Sequence, residues 1–177
     1  MLCQFSWIDT VWDQYLPVSL KAGTRVKGGK GVRRRVTPTA DLPRYWSDFL
    51  HVSENKSELF HFLSQHVASF NCGDREVFIT DGSNVLSNTV NWIDTSISSC
   101  SHKEADTRLL LHVVHAAHCG FTKATVRSVD TDVVVTAISL HLDQIDAWFC
   151  HSSMISQDVT RCLLSQDVAR KVLGIPG

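Results

Sequence analysis

The sequence carries two acidic motifs close together, Ser101-His-Lys-Glu-Ala-Asp-Thr-Arg108 and Val129-Asp-Thr-Asp-Val-Val-Val135. Between them, leucine, valine and alanine recur at helical spacing, which predicts a helix that opens at Ser101 and stops at Gly120. The first motif fits a capping box, in which a serine is followed three residues later by a glutamate. Residues 124–129 are then predicted as a strand, so the second motif follows the carboxyl end of that strand.

Strands and helices are expected to alternate along the rest of the chain. The pattern predicts strands at 6–13, 76–80, 124–129 and 144–150, helices at 53–70, 101–119 and 133–142, an irregular insertion at 83–100, and a peripheral helical tail at 151–177. This alternation indicates an α/β fold with an open, mainly parallel sheet flanked by helices. We therefore expect one domain over residues 1–150, followed by the tail.

Acidic residues fall where a site is expected in such a fold, because function collects at the carboxyl ends of parallel strands. Asp13 follows the first predicted strand, Glu104 and Asp106 lie in the first turn of a helix, and Asp130 and Asp132 follow a later strand. Carboxylates that share a small volume repel one another unless a cation lies between them. The set predicts ligands for Mg²⁺ or Mn²⁺, with Glu104, Asp106, Asp130 and Asp132 as the catalytic residues.

Each motif also has an explanation that involves no chemistry. The capping box accounts for Glu104, the helix dipole for Asp106, and a capped turn for Asp130 with Asp132. Taken singly, the motifs favour these structural explanations. Their joint placement at strand and helix ends favours a shared site.

Charge is unevenly distributed along the chain. The 177 residues have a net charge of −1, but residues 1–35 hold seven Lys or Arg against two Asp, whereas residues 36–177 hold ten against sixteen acids. All seven early cations lie in a basic arm at 21–35. Such a block contacts the phosphates of DNA or RNA, or serves as a solvated arm or an import signal. We expect phosphate contacts from Lys21, Arg25, Lys27, Lys30, Arg33, Arg34 and Arg35.

The composition excludes several classes of protein. Hydrophobic residues make up 44% and charged residues 20%, as in a globular domain rather than a disordered chain. No apolar run is long enough to span a membrane, and the start shows no signal-peptide pattern. The six cysteines have no zinc-module spacing. An intracellular protein, nuclear or cytoplasmic and without a membrane partner, is therefore expected.

Three histidines recur on the helix that follows the first motif. His112, His115 and His118 lie three residues apart, beside Cys119. Helical spacing puts them on one side of the helix, which suits either a metal site or a polar face. A polar face is favoured, because no other residues supply zinc-like spacing.

The two acidic motifs resemble the internal region of flap endonucleases and of the wider PIN-like nuclease superfamily. That family carries an acidic pair at a helix start and an Asp-x-Asp after the next strand. The front of the chain agrees: Val11-Trp-Asp13, Leu20-Lys21 and the basic run to Arg35 look like the family's strand aspartate, Leu-Lys and basic gateway helix. The resemblance covers about residues 8–35 and 100–140.

The resemblance implies a PIN-like fold and metal-dependent hydrolysis of a phosphodiester in structured DNA or RNA. It would make Asp13 and the four acids of the two motifs metal ligands, and Lys21 a phosphate contact. The chain also departs from the family. No acid upstream of Asp13, Asp9 included, fits the family's first catalytic aspartate, Gly28 stands where a gateway arginine is expected, and no Gly-x-Asp follows Asp132. We therefore expect a domain cut or replaced at both ends.

These observations predict a divalent-metal nuclease-like domain whose activity, tested on this chain alone, is weak or absent. The alternative is a catalytically inactive nucleic-acid-binding or protein-interaction remnant of the same fold. A third interpretation is a small α/β scaffold whose acids are caps and whose arm is a localisation signal.

Overall fold

A computed structural model describes residues 6–15, 31–89, 96–98, 100–101, 104–128, 130–140, 145–150 and 161–164, the last four through their backbone. These residues form six strands and four helices. In chain order they are β1 (Trp7–Thr10), α1 (Trp46–Leu50), α2 (Ser53–Ala68), β2 (Glu76–Asp81), β3 (Asn84–Ser87), α3 (Ala105–His118), β4 (Lys123–Arg127), α4 (Asp132–Ser139), β5 (Asp146–Cys150) and β6 (Arg161–Leu164).

The strands form one sheet in the order β3-β2-β1-β6-β4-β5. Four of its five strand pairings are parallel, and only β2 with β3 is antiparallel. The predicted α/β architecture is therefore confirmed, and so is the helix predicted from Ser53. Because β1 and β4 both run parallel to β6, their carboxyl ends meet at the same edge of the sheet.

A hairpin replaces the first part of the predicted irregular insertion. Asp81 pairs with Asn84, so Gly82 and Ser83 form a two-residue loop between β2 and β3. Gly82 has a φ of 57°, a backbone conformation that favours glycine. The prediction of irregular structure is wrong for 84–87, because the Asp-Gly turn is itself a hairpin signal and Val85 is buried.

Helices cover both faces of the sheet. Successive side chains of a strand point to opposite faces of the sheet. The side chains on the two faces therefore pack into separate hydrophobic cores. Ile8 and Trp12 pack with α1 and α2, whereas Val11 packs with α3, β4 and α4. The chain thus forms three layers, with α1 and α2 on one side of the sheet and α3 and α4 on the other.

The strand β6 corrects the expectation for the end of the chain. A peripheral helical tail was predicted for 151–177, but Arg161–Leu164 lies inside the sheet and pairs with both β1 and β4. The prediction of a peripheral helix is wrong for these four residues, and a domain boundary at 150 does not match the sheet. A central strand appears in sequence as a short apolar run, and Cys162-Leu163-Leu164 is too short for its periodicity to identify it.

Candidate functional site

Asp13 joins the end of β1 to the start of α3. Its Oδ1 accepts the backbone N–H of Ala105 at 2.7 Å, across 92 positions of sequence. This contact satisfies one of the donors that a helix leaves unpaired at its N-terminus, and it places negative charge at the positive end of the helix dipole. The predicted capping box is wrong: α3 begins at Ala105, and within the described residues Glu104 is extended and makes no capping hydrogen bond with its side chain.

Asp106 lies in the first turn of α3, next to this contact. The pKa of its carboxyl group is raised from an ordinary 3.8 to about 6, first by burial and then by the negative charges of four other acids. Those acids are Asp130, Asp13, Glu104 and Asp132. The structure therefore brings all five predicted acids into electrostatic contact, and we call them the carboxylate cluster.

Asp130 and Asp132 lie where the chain turns from β4 into α4. The carboxylate of Asp130 accepts the backbone N–H of Asp132 at 2.9 Å, and the backbone N–H of Asp130 donates to Ser128 Oγ at 3.1 Å. This is the capped turn that the structural explanation anticipated. The charges of Asp130 and Asp132 also act on Asp106. Asp130 therefore both caps this turn and belongs to the carboxylate cluster.

The donor chemistry of the cluster suits a hard divalent cation, because every donor is a carboxylate oxygen. Burial, and then the negative charge of the other four acids, raises the pKa of Asp106, and a bound cation would offset the second of these effects. Across the described ranges, no three His, Cys, Asp or Glu side chains converge closely enough to hold a metal ion. The five acids thus interact through their charge rather than as an assembled coordination shell.

A buried aspartate–histidine pair joins β1 to α3, the elements that position Asp13 and Asp106, and sequence analysis missed it. Asp9 and His112 are both fully buried, and His112 Nδ1 lies 2.7 Å from Asp9 Oδ1. The pair ties the middle of β1 to the middle of α3. One signal was visible in the sequence, since Asp9 interrupts a strand that is otherwise apolar or β-branched.

The predicted polar face of α3 is wrong for two of its three histidines. His112 and His115 are buried, and only His118 is exposed. The ring of His115 packs near Trp7 at 5.9 Å between centroids, and its Nε2 lies 3.4 Å from Cys119 Sγ. Buried histidines occupy this side of the helix because it faces β1, which sequence spacing alone does not indicate.

The basic arm is only partly described. Lys21, Arg25, Lys27 and Lys30 lie outside the described residues. Arg33 and Arg35 both pair with Glu58 of α2, at 2.6 and 3.1 Å. Burial raises the pKa of Glu58, but the hydrogen bond from Arg33 and the charges of both arginines bring it below its ordinary value.

Arg34 differs from its two neighbours. Its backbone N–H donates to Asn55 Oδ1 at 3.0 Å, which holds the chain against α2, while its side chain is exposed. The three adjacent arginines thus differ in their contacts, and their predicted contacts with phosphate stay a prediction. Two of them are engaged with an acid of their own chain, and Arg34 presents its guanidinium to solvent.

A cleft opens beside Asp13 on the α2 side of the sheet edge. It has a volume of about 200 Å³ and is lined by Trp12, Asp13, Gln14, Tyr15, Ser57, Phe60, His61, Thr80, Asp81 and Gly82. We call it the edge cleft. A second cavity of about 450 Å³ shares Tyr15, Ser57 and His61 with it and extends to Arg33.

An aspartate–histidine pair lies in the edge cleft. His61 Nδ1 is 2.9 Å from both carboxylate oxygens of Asp81, and Gln65 Nε2 donates to the same carboxylate at 3.0 Å. Sequence analysis did not include Asp81 among the candidate acids. The rule used for the other acids would have found it, because Asp81 is the last residue of a parallel strand.

Comparisons with known proteins add no relative to this description: no family model, curated protein or solved structure matches the chain. Of the helices that the structure describes, none combines the length and apolar character needed to cross a membrane.

Proposed function

We propose that this chain is a PIN-like, flap-endonuclease-like domain that binds structured DNA or RNA and hydrolyses a phosphodiester slowly with Mg²⁺ or Mn²⁺. The observation that carries the proposal is the placement of the five acids of the carboxylate cluster at one edge of a parallel sheet, where burial, and then the charges of the other four, raise the pKa of Asp106. A fold that gathers like charges at this edge stores repulsion there. A divalent cation bound by the cluster would offset that repulsion.

Asp13, Glu104, Asp106, Asp130 and Asp132 would hold the metal. When bound, the metal would supply a water of lowered pKa and stabilise charge on the phosphate oxygens. The protein's own residues orient the site. Asp13 is fixed by the N–H of Ala105, and Asp130 is fixed by the turn into α4. The exposed guanidinium of Arg34, with the cations at 21–30, would contact the phosphate backbone.

The departures from the family pattern support a slow reaction. Gly28 stands where a planar arginine clamp is expected, and a lysine nearby reproduces such a clamp only in part. Mg²⁺ demands near-ideal octahedral geometry and gives up its waters reluctantly. A carboxylate set that is not drawn into a tight coordination shell therefore supports weak turnover rather than efficient catalysis.

The alternative is a nucleic-acid-binding or protein-interaction remnant that has lost catalysis. The loose arrangement of the acids in the described residues favours it, and so do the capping partners of Asp13 and Asp130, which give both acids a structural role. On this alternative the fold and the arm persist without metal-dependent cleavage.

Metal binding and cleavage distinguish the two. We expect Mn²⁺ to bind, measured by calorimetry and electron paramagnetic resonance, and Asp106→Asn to weaken that binding. Asp74→Asn is the matched control, because Asp74 is an exposed acid in a turn before β2. Slow, Mn²⁺-dependent cleavage of a flap or hairpin, abolished by Asp130→Asn, supports the enzyme. Nucleic-acid binding without metal binding or cleavage supports the remnant.

A further inference from the structure

We propose that His61, oriented by Asp81, is the proton donor to the leaving oxygen of a phosphodiester bound across the edge cleft. This inference rests on the proposed function and assigns a catalytic role to a pair that lies outside the carboxylate cluster.

The position of His61 is set by buried contacts between α2 and the sheet. Ser64 is fully buried; its Oγ accepts the ring N–H of Trp12 at 3.0 Å, and its hydroxyl proton is shared between the carbonyls of Phe60 at 2.7 Å and Thr80 at 2.9 Å. These bonds fix α2 over the ends of β1 and β2. His61 lies one turn before Ser64 on the same helix, so its ring is held at the carboxyl ends of these strands.

The bonds of His61 define which nitrogen serves the cleft. Nδ1 is held by both oxygens of Asp81, and in the described residues it is the ring nitrogen that has a protein partner. The outer nitrogen, Nε2, is left to meet a substrate. A carboxylate that fixes one nitrogen of a histidine orients the ring and stabilises the imidazolium, which is a recurrent arrangement in proton-transferring sites.

Access to solvent also fits a catalytic group. The side chain of His61 is 62% exposed, whereas that of Asp81 is 18% exposed. The acid that orients is thus largely sheltered, and the ring that would react is open to a ligand. The aromatic rings of Tyr15 and Phe60 line the same cleft and give a nucleobase or sugar an apolar wall beside it.

The charged groups around His61 come from several elements. Asp81 lies on β2, Asp13 follows β1, Glu54 and Glu58 share α2 with His61, and Arg33 closes the neighbouring cavity while paired with Glu58. Lys56, also on α2, lies over the ring of Tyr15 at 4.8 Å from its centroid. Acids therefore outnumber cations around His61, so a phosphate-bearing ligand would bind here only with a metal ion that offsets their charge.

The carboxylate cluster and the pair of His61 with Asp81 lie toward opposite faces of the sheet. Asp13 belongs both to the carboxylate cluster and to the edge cleft. Asp106 belongs to α3, on one face of the sheet, and His61 belongs to α2, on the other face. In an in-line displacement the attacking and leaving oxygens are on opposite sides of phosphorus. A phosphate beside Asp13 would therefore meet the attacking water on the α3 side and His61 on the α2 side.

The proposed step balances as a hydrolysis. The oxygen of water forms a bond to phosphorus, and the bond from phosphorus to the leaving oxygen breaks with its electron pair on that oxygen. The leaving oxygen takes the proton from His61 Nε2. The attacking water releases its proton to solvent, and Nε2 regains a proton from solvent before the next turnover.

The leaving group provides the test. Rates with Mn²⁺ are measured for wild type, His61→Gln and Asp81→Asn on two substrates, an oligonucleotide hairpin and bis(p-nitrophenyl) phosphate. The p-nitrophenolate leaves without needing a proton. We expect His61→Gln to lose about 10²- to 10⁴-fold on the hairpin and little on the p-nitrophenyl ester. Asp81→Asn should show the same pattern with a smaller loss, because it disturbs orientation only.

His66→Gln is the matched control. His66 is exposed on the same helix, but its Nδ1 meets the carbonyl of Phe62 rather than a carboxylate. It should leave both rates unchanged. Equal losses of His61→Gln on the two substrates, or no loss on the hairpin, would overturn the proposal while leaving the proposed function intact. Absence of metal-dependent hydrolysis of either substrate by wild type would contradict the proposed function, and this proposal with it.

A second readout does not depend on turnover. Diethylpyrocarbonate modifies accessible imidazole nitrogens, and mass spectrometry locates the modified residue. The hairpin oligonucleotide should slow modification of His61 and leave that of His66 unchanged. Equal modification of His61 with and without the oligonucleotide would show that the ligand does not reach the edge cleft, and would overturn the proposal.

Discussion

Two aspartate–histidine pairs tie a strand of this sheet to a helix, and they differ in their access to water. Asp9 and His112 join β1 to α3, and both side chains are fully buried. Asp81 and His61 join β2 to α2, and the histidine side chain is 62% exposed. The same two residue types thus occupy opposite situations on the two faces of one sheet. Because the first pair is buried, we expect it to contribute mainly to the stability of the fold. Because His61 is exposed, the second pair is accessible to a substrate.

The largest effect is expected where the buried pair is broken. His112→Leu removes the hydrogen bond between His112 and the buried carboxylate of Asp9, and removing one member of a buried pair costs about 3–5 kcal/mol. Urea denaturation measures this as a lower free energy of unfolding. The double variant Asp9→Val with His112→Leu should recover much of the loss, because neither member of the pair is then left in the core without the other. His118→Leu, at the exposed end of α3, is the control. A cost below about 1 kcal/mol for His112→Leu alone would remove the contrast between the pairs.

A smaller effect of opposite sign is expected at Asp106, on the same helix as the buried pair. The folded protein holds the pKa of this carboxyl at about 6, above its ordinary 3.8. Between these values the folded state binds more protons than the unfolded state, so stability falls as the pH rises from about 4 to about 6. Asp106→Asn should remove this dependence and add about 1–2 kcal/mol at neutral pH, after allowance for solvent screening.

Unfolding measured across this pH window checks the prediction at Asp106, and Asp74→Asn serves again as the control. Mn²⁺ should flatten the same pH dependence in wild type, since a bound cation offsets the repulsion among the acids. A stability profile of wild type that is level between pH 4 and 6 would show that the cluster carries no strain of this kind.

On the α2 side of the sheet, Arg33 and Arg34 are expected to differ in how much they contribute to nucleic-acid binding. Arg34→Ala should reduce the slope of log binding constant against log salt by about 0.9 on duplex DNA, as one lost phosphate contact does. Arg33→Ala should change the slope less, because Arg33 is already paired with Glu58. Lys123→Ala is the control, since Lys123 is exposed at the start of β4, far along the strand from the site edge. Equal slopes for all variants would mean that this segment does not contact phosphates.

The smallest effect is expected when the exposed pair is broken. His61→Gln should change the free energy of unfolding by no more than about 0.5 kcal/mol, because an exposed ion pair contributes little to stability. Denaturation with urea under the conditions used for His112→Leu gives the direct comparison. A loss of unfolding free energy close to that expected for His112→Leu would show that His61 is needed for the fold. A role of His61 in catalysis could then not be separated from its role in stability.

Much of the fold was predictable because the relevant patterns are local. The apolar spacing after Ser53 encodes α2, and an acid after a strand places Asp13 and Asp130 at one edge of a parallel sheet. The capping box failed because a competing partner, Asp13, lies 92 positions away and takes the N–H of Ala105. Nothing in the local sequence around Ser101 announces that competitor.

The remaining misses have the same physical origin. The burial of Asp9 with His112 depends on a helix and a strand brought together by tertiary packing, and no spacing rule encodes it. Asp81 was not recognised as a site residue, because Asp-Gly is also a turn signal. The strand at 161–164 depends entirely on partners near the start and in the middle of the chain. Local patterns identify elements, whereas the pairs that define the site arise from contacts between them.

The position of β6 has a consequence for how the protein is made. The strands β3, β2 and β1 pair with one another, and β4 pairs with β5, but the two groups are joined by β6. During synthesis the residues of both groups are joined to the chain before residues 161–164. Until then the inner edges of β1 and β4 lack the strand that later pairs with both, and such edges recruit other chains. A chain that ends before residue 161 would therefore expose both edges, and of the described strands it is the one nearest the carboxyl terminus that joins the two groups into one sheet.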